Sequence, residues 1–177
     1  MSIHSFRLLG LLLTLLMVAG SARAGELETA QKQWLAGQRA QAVATVELAL
    51  RQTPDALNLR FALGVMKMEL ADQPAALAIF TALNQDFPDL ADPLNNLAVI
   101  HAAQGELDLA RSELEQALRL QPEHPQAQEN MGDVLLRLAA RAYQHAQDAL
   151  VSPSEALALK LRRTQALLLP APTASSR

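Results

Sequence analysis

The 177-residue sequence contains no cysteine. That one absence excludes disulfides, thiolate nucleophiles, thiol-bound metals and a lipid anchor on cysteine. Aromatic residues are scarce too, with one Trp, one Tyr and four Phe. Half of the chain is nevertheless apolar, so Leu and Ala have to supply the core. Those two residues lead the helix-propensity ranking, whereas β-branched and aromatic residues mark strands. The composition therefore points to helices, and the length allows one domain.

A long basic run is also missing. At the N-terminus Arg7 precedes the apolar run Leu8–Ala19, and Ala22-Arg23-Ala24 offers a small-x-small cleavage site. The run is shorter than the roughly 20 residues a bilayer requires. We expect a signal peptide over 1–24, cut between Ala24 and Gly25, with no stable membrane insertion after cleavage; retention as an anchor is the alternative. Cleavage removes Arg7 and Arg23 from the 15 basic residues and none of the 18 acidic ones, which leaves 13 against 18, a net charge of −5. An acidic exported chain is a poor candidate for nucleic acid or anionic lipid.

What the chain does have is a period. The stretch "QGELDLARSELEQALRLQP", shifted back by 34 residues, falls on "LADQPAALAIFTALNQDFP", and a second shift reaches "AGQRAQAVATVELALRQTP". Gly37, Ala71 and Gly105 coincide, as do Ala42, Ala76 and Ala110. Val46, Phe80 and Leu114 form an apolar column, then Ala49, Leu83 and Ala117, and Pro54, Pro88 and Pro122 close the units. In the preceding half of each unit Leu63, Leu97 and Met131 align, as do Gly64, Ala98 and Gly132. Both halves carry helical periodicity. Each unit thus reads as two antiparallel helices, with the Gly or Ala between them at the turn. The Ala columns give clearance for close approach, and the Pro stops the second helix.

This spacing and these residue types resemble the tetratricopeptide repeat (TPR) family, over about residues 25–150. The resemblance implies an all-α fold, a TPR helical-hairpin solenoid wound as a right-handed superhelix with a C-terminal capping helix. It gives repeats of about 25–56, 57–90, 91–124 and 125–150. Ala71 departs from the family's turn Gly, and Lys67 and His101 stand where it prefers a bulky aromatic. Trp34 is expected to cover the open end of the first unit. From Met131 the stripe Val134, Leu135, Leu138, Ala139, Ala142, Ala146, Ala149, Leu150 has no breaker, which predicts one helix from about Pro125 to Leu150; a hairpin near Ala139–Arg141 is the alternative. A turn at Ser152–Ser154 leads into a capping helix within 151–169, with Ser154 as its N-cap and Arg162 and Arg163 suited to its negative end. Residues 170–177 read as a disordered tail.

No catalytic constellation emerges, and no cofactor or metal is expected. His101 occupies a column that packs between helices and reads as a hydrogen-bonded core histidine before a ligand. His124 lies in "PEHP", read as an exposed turn, and His145 has Asp148 three residues on, a surface pair. "GELE" and "SELE" read as solvated helix faces. There is no paired metal-ligand spacing, phosphate loop or nucleophile elbow.

In the family resembled, one face of each first helix lines a concave groove that binds polypeptide. Carried over, those faces are Phe61, Val65 and Met68; Asn95, Val99 and Ala102; and Glu129, Asp133 and Leu136. Burial against the first unit is the competing reading, above all for Phe61. With Arg137 the only nearby cation, an acidic C-terminal tail is a poor guest. The expected partner is an apolar protein or peptide segment, with Lys or Arg opposite Glu129 and Asp133. The phrases "NNLAVIHAAQGE" and "ENMGDVLLRLAARAYQHA" are similar to those of exported TPR proteins of the Gram-negative envelope. The resemblance thus implies a periplasmic adaptor or scaffold. The alternative is a regulatory accessory subunit of a cell-wall (peptidoglycan) enzyme or of an envelope secretion or assembly complex. A hydrolase is the third reading, and it has no candidate residue.

Overall fold

A computed structural model of the chain describes residues 25–152 and 154–168. The expectations for the leader at 1–24 and for the tail at 170–177 lie outside those residues. Among the described residues there are eight α-helices and no strand. α1 covers 25–35, α2 Arg39–Gln52, α3 Leu57–Glu69, α4 Gln73–Asp86, α5 Ala91–Ala103, α6 Leu107–Leu120, α7 Pro125–Asp148 and α8 Glu155–Leu167. The sequence period is also the backbone period. α2, α4 and α6 begin and end 34 residues apart, and α3, α5 and α7 begin at the same interval.

The turns explain the repeated Gly and Pro columns. After α1, α3 and α5 the chain closes the same hydrogen-bonded cap. Gln38 N–H donates to Gln33 O at 2.9 Å, Asp72 to Lys67 O at 2.9 Å and Glu106 to His101 O at 2.9 Å. This geometry puts one residue in the left-handed region: Gly37 at φ 78°, Ala71 at φ 59° and Gly105 at φ 85°. Ala71 thus adopts the turn without the glycine that makes it cheap. A side chain at Gly37 or Gly105 would meet nothing within 4 Å, so the cost of one there lies in the backbone alone. Ala71→Gly is expected to raise stability by up to about 1 kcal/mol and Gly105→Ala to lower it by about the same, read as opposite shifts of the thermal midpoint.

At the other ends, Pro works through the residue before it. Thr53 and Gln121, each followed by Pro, sit at φ −138° and −137°, because the Pro ring disfavours the helical region for its predecessor. Ala56 N–H donates to Thr53 O, Leu90 to Phe87 O and His124 to Gln121 O. Each Pro therefore occupies the second position of a tight turn, which its fixed φ suits.

The chain forms two compact units that divide at Ile79–Phe80, within α4. In the first, Ala42, Val46, Ala49, Leu59 and Met66 form a core with α1's Ala30 and Leu27. Trp34 packs at its margin: the indole N–H donates to Glu69 Oε2 at 3.1 Å, and the Arg39 guanidinium lies 4.1 Å from the ring centre. Lys67, in the aromatic column, keeps its stem half-buried and its amine 3.4 Å from Glu47 and 3.8 Å from Asp72.

In the second unit α5 packs on α6, α6 on α7, and α7 on α8. Ala98, Ala102, Ala110, Leu114, Ala117, Ala127 and Val134 form its core. α7 runs unbroken to Asp148, so the hairpin alternative at Ala139–Arg141 is not taken. Ser154 caps α8, its Oγ accepting from Leu157 N–H at 3.3 Å. Two expectations need correction. α8 continues to Leu167 with no basic residue in its last turn, so Arg162 and Arg163 lie inside the helix. His124 is buried, with 5% of its surface exposed: it caps α7 by accepting from Ala127 N–H at 3.2 Å, and its other ring nitrogen faces Asp92 at 3.2 Å.

Candidate functional site

The second unit contains a cavity of about 200 Å³ between successive first helices. α5 contributes Ala98, Val99, Ala102 and Ala103, α6 places Leu114 at the floor, and α7 adds Asn130, Asp133, Val134 and Arg137. The space follows from the sequence. Ala98 and Ala102 face α7 with no side chain beyond Cβ, so the gap between α5 and α7 stays open where larger residues would close it. Leu114 and Val134 are buried, which gives the base of the cavity an apolar lining.

Its rim is polar. Asp133 is exposed and Arg137 half-buried. They stand one turn apart in the order that favours pairing, yet neither makes an ion pair among the described residues. Both signs are therefore available to an incoming chain. Asn130 Nδ2 donates to Asn95 Oδ1 at 2.8 Å, which fixes the Asn130 amide at the edge while its carbonyl remains free to accept.

Of the nine residues assigned to a groove from the sequence, Val99, Ala102 and Asp133 line this cavity. Asn95 is one hydrogen bond behind it and itself buried. Glu129 is exposed and Leu136 half-buried, and neither lines the space. Phe61, Val65 and Met68 are half-buried at helical spacing on α3, in the other unit, and form no part of it. Asn130 lies outside the groove faces carried over from the sequence, and Ala98 enters there only through its column of small residues. Their signal was the register: Asn130 adjoins Glu129, and Ala98 stands in the small-residue column. Asn96, beside Asn95, bonds its own helix at Asp92 O.

Behind the cavity a second polar feature joins α5 to α6. His101 Nδ1 and Glu113 Oε2 are 2.8 Å apart, with side chains only 13% and 10% exposed. His101 is thus the hydrogen-bonded core histidine expected. Glu113 corrects the reading of "SELE" as a solvated face. Burial pushes its carboxyl above the usual range, the His101 hydrogen bond and charge pull the other way, and Glu106 adds to the rise. His145 is exposed, and Asp148 accepts instead from Gln144 at 2.8 Å. Among the described residues no three acidic or imidazole groups converge as a metal set, and no helix is long and apolar enough to cross a membrane.

No protein-family model matches the sequence, and no curated protein does. Solved structures do match. A thermophilic TPR protein of Thermus thermophilus superposes with TM-score 0.61 at 18% identity, over 82% of each chain. The first TPR of Spaghetti (RPAP3), bound to an HSP90 peptide, gives 0.60 at 15% identity over 66% of this chain and 93% of that one. MamA of Desulfovibrio magneticus RS-1 gives 0.59 at 14% identity over 82% of this chain and 75% of that one. The fold is a TPR fold. Its cavity lies between consecutive first helices of the TPR units, α5 and α7, with the second helix α6 beneath.

Proposed function

We propose that this TPR protein is a non-enzymatic adaptor that holds an apolar segment of a partner polypeptide against α5 and α7. The observation that carries the reading is the cavity itself. Small-molecule and cofactor sites run from about 300 Å³ upward, whereas about 150 Å³ already accepts a ring the size of benzene. A space of about 200 Å³ with an apolar base therefore suits one side chain of a longer guest. Asn130 offers the guest's backbone an acceptor, and Asp133 and Glu129 favour a Lys or Arg beside the anchored residue. The peptide held by Spaghetti's first TPR, SRMEEVD, supports a polypeptide guest in general; its acidic end differs from the apolar, basic-flanked segment proposed for this chain. For location, the N-terminal leader supports export to the periplasm. N-terminal sequencing of envelope-derived protein should then begin at Gly25.

The test is selection of displayed peptides on the immobilised chain. Enriched peptides should share one apolar residue flanked by a basic one. Val99→Asp should weaken them by about tenfold or more, while helical circular dichroism and melting temperature stay close to the parent's. Equal binding by Val99→Asp would remove the cavity from the proposal, and unfolding would make Val99 a core residue. Capture of glycan in place of peptide would favour the cell-wall accessory subunit.

A further inference from the structure

We propose that α8 docks this protein onto an anionic lipid surface. The inner face of the helix is spent on the fold, with Thr164 buried and Leu157 and Leu161 half-buried. A turn of 100° per residue puts Leu159 and Ala166 on the opposite side, beside Glu155 of the first turn, with Ala156 and Leu167 at its flank. There Leu159 is 41% and Leu167 69% exposed. Lys160 and Arg162 border this apolar strip on its two sides, and Arg163 lies within it. All three are exposed.

Charge decides the occupant. Elsewhere Lys32, Arg39, Lys67, Arg111 and Arg141 each have a carboxylate within ion-pair distance, while Arg51, Arg119 and Arg137 stand without one among the described residues, singly on α2, α6 and α7. Among the described residues Lys160, Arg162 and Arg163 have none, and Glu155 is the sole acid on the helix. The Lys160 amine lies 5.9 Å from the centre of the Tyr143 ring. The face thus presents three unneutralised cations around exposed leucines. An anionic bilayer meets both needs at once, with phosphates for the cations and the acyl boundary for Leu159 and Leu167. The acidic net charge of the whole chain does not cancel this. Charges more than about 10 Å away are largely screened at ordinary ionic strength, so the approaching surface meets the cations of α8 first.

The absence of cysteine makes the test site-specific. In the full chain, an environment-sensitive dye on Leu159→Cys reports α8, and the same dye on Gln116→Cys, exposed on α6, is the control. Vesicles of phosphatidylcholine with and without phosphatidylglycerol are added. The leader's apolar run partitions into both kinds, so the dye's position is the readout, not total binding. The expected result is a blue shift at residue 159 with the anionic vesicles only, reversed by added salt, and none at residue 116. Each charge near such a surface is worth about fivefold in partition, so Arg162→Glu with Arg163→Glu, a change of four charges, should lower it by about 600-fold. Should that pair disturb the helix, Arg162→Gln with Arg163→Gln should still lower it by about 25-fold. Val99→Asp should leave the shift unchanged, which separates this surface from the cavity. No shift, an equal shift with neutral vesicles, or one that grows with protein concentration alone would each overturn the proposal, the last pointing to a second copy of the chain.

Discussion

Phe80→Ala is expected to lower stability by about 3–5 kcal/mol and the thermal midpoint by roughly 10 °C. Phe80 sits in the column Val46, Phe80, Leu114, and all three side chains are fully buried at 0% exposure. The chain has few aromatics to fill its interior, so the volume lost with this ring has no neighbour large enough to replace it. The cost has two parts: the transfer of the ring's atoms, and the space left where the helices collapse only partly. Leu114→Ala should follow at about 2–5 kcal/mol, and Val46→Ala should be mildest at about 2 kcal/mol. That order, Phe80 then Leu114 then Val46, is what circular-dichroism melts should return. A Phe80→Ala midpoint within about 2 °C of the parent's would mean the column is not the core it is taken to be.

The repeat was legible because spacing encodes it. Columns such as Ala76 and Ala110 need no partner to be recognised, and both are fully buried. Conformation is enforced by the same register even where the residue type argues against it. Ala71 enters the left-handed region at φ 59° because the cap that joins α3 to α4 requires it. What the sequence hid were buried polar groups, since burial of a polar residue depends on a partner whose position periodicity does not give. His124 is buried because Asp92 lies 3.2 Å away, 32 residues earlier, and Glu113 because His101 reaches it from another helix. The candidate site was legible in part for the same reason. The helix faces named Val99, Ala102 and Asp133, which line one cavity. The open space depends on Ala98 being small and on where α7 sets Arg137 and Asn130, which no single helix pattern contains. The outer face of α8 was hidden differently, because a whole-chain net charge averages away a local cluster.

His101→Leu is expected to lower stability by about 3 kcal/mol at pH 7, because it leaves the Glu113 carboxylate buried without its donor. The direction of the pH dependence follows from Glu113. Burial holds its folded-state pKa above the ordinary value of 4.5. Its contribution is therefore fully favourable below that ordinary value and is lost as pH rises through the folded-state pKa. In the parent, the hydrogen bond and charge of His101 offset part of this loss; in His101→Leu neither does. The gap between variant and parent should thus be widest near neutrality and shrink as pH falls toward about 4 and Glu113 takes a proton. Two companion variants separate charge from packing. Glu113→Gln keeps an acceptor for the imidazole and should stay within about 1 kcal/mol of the parent at pH 7. The double change His101→Leu with Glu113→Leu replaces the pair with apolar atoms and should recover most of the loss. If the double variant were as unstable as His101→Leu alone, the loss would belong to the shape of the slot between α5 and α6, not to the stranded carboxylate. A pH-independent gap would say the same. Where an aromatic would fill the column by bulk, this chain fills it with a hydrogen-bonded pair, and so makes the junction of two helices depend on a proton.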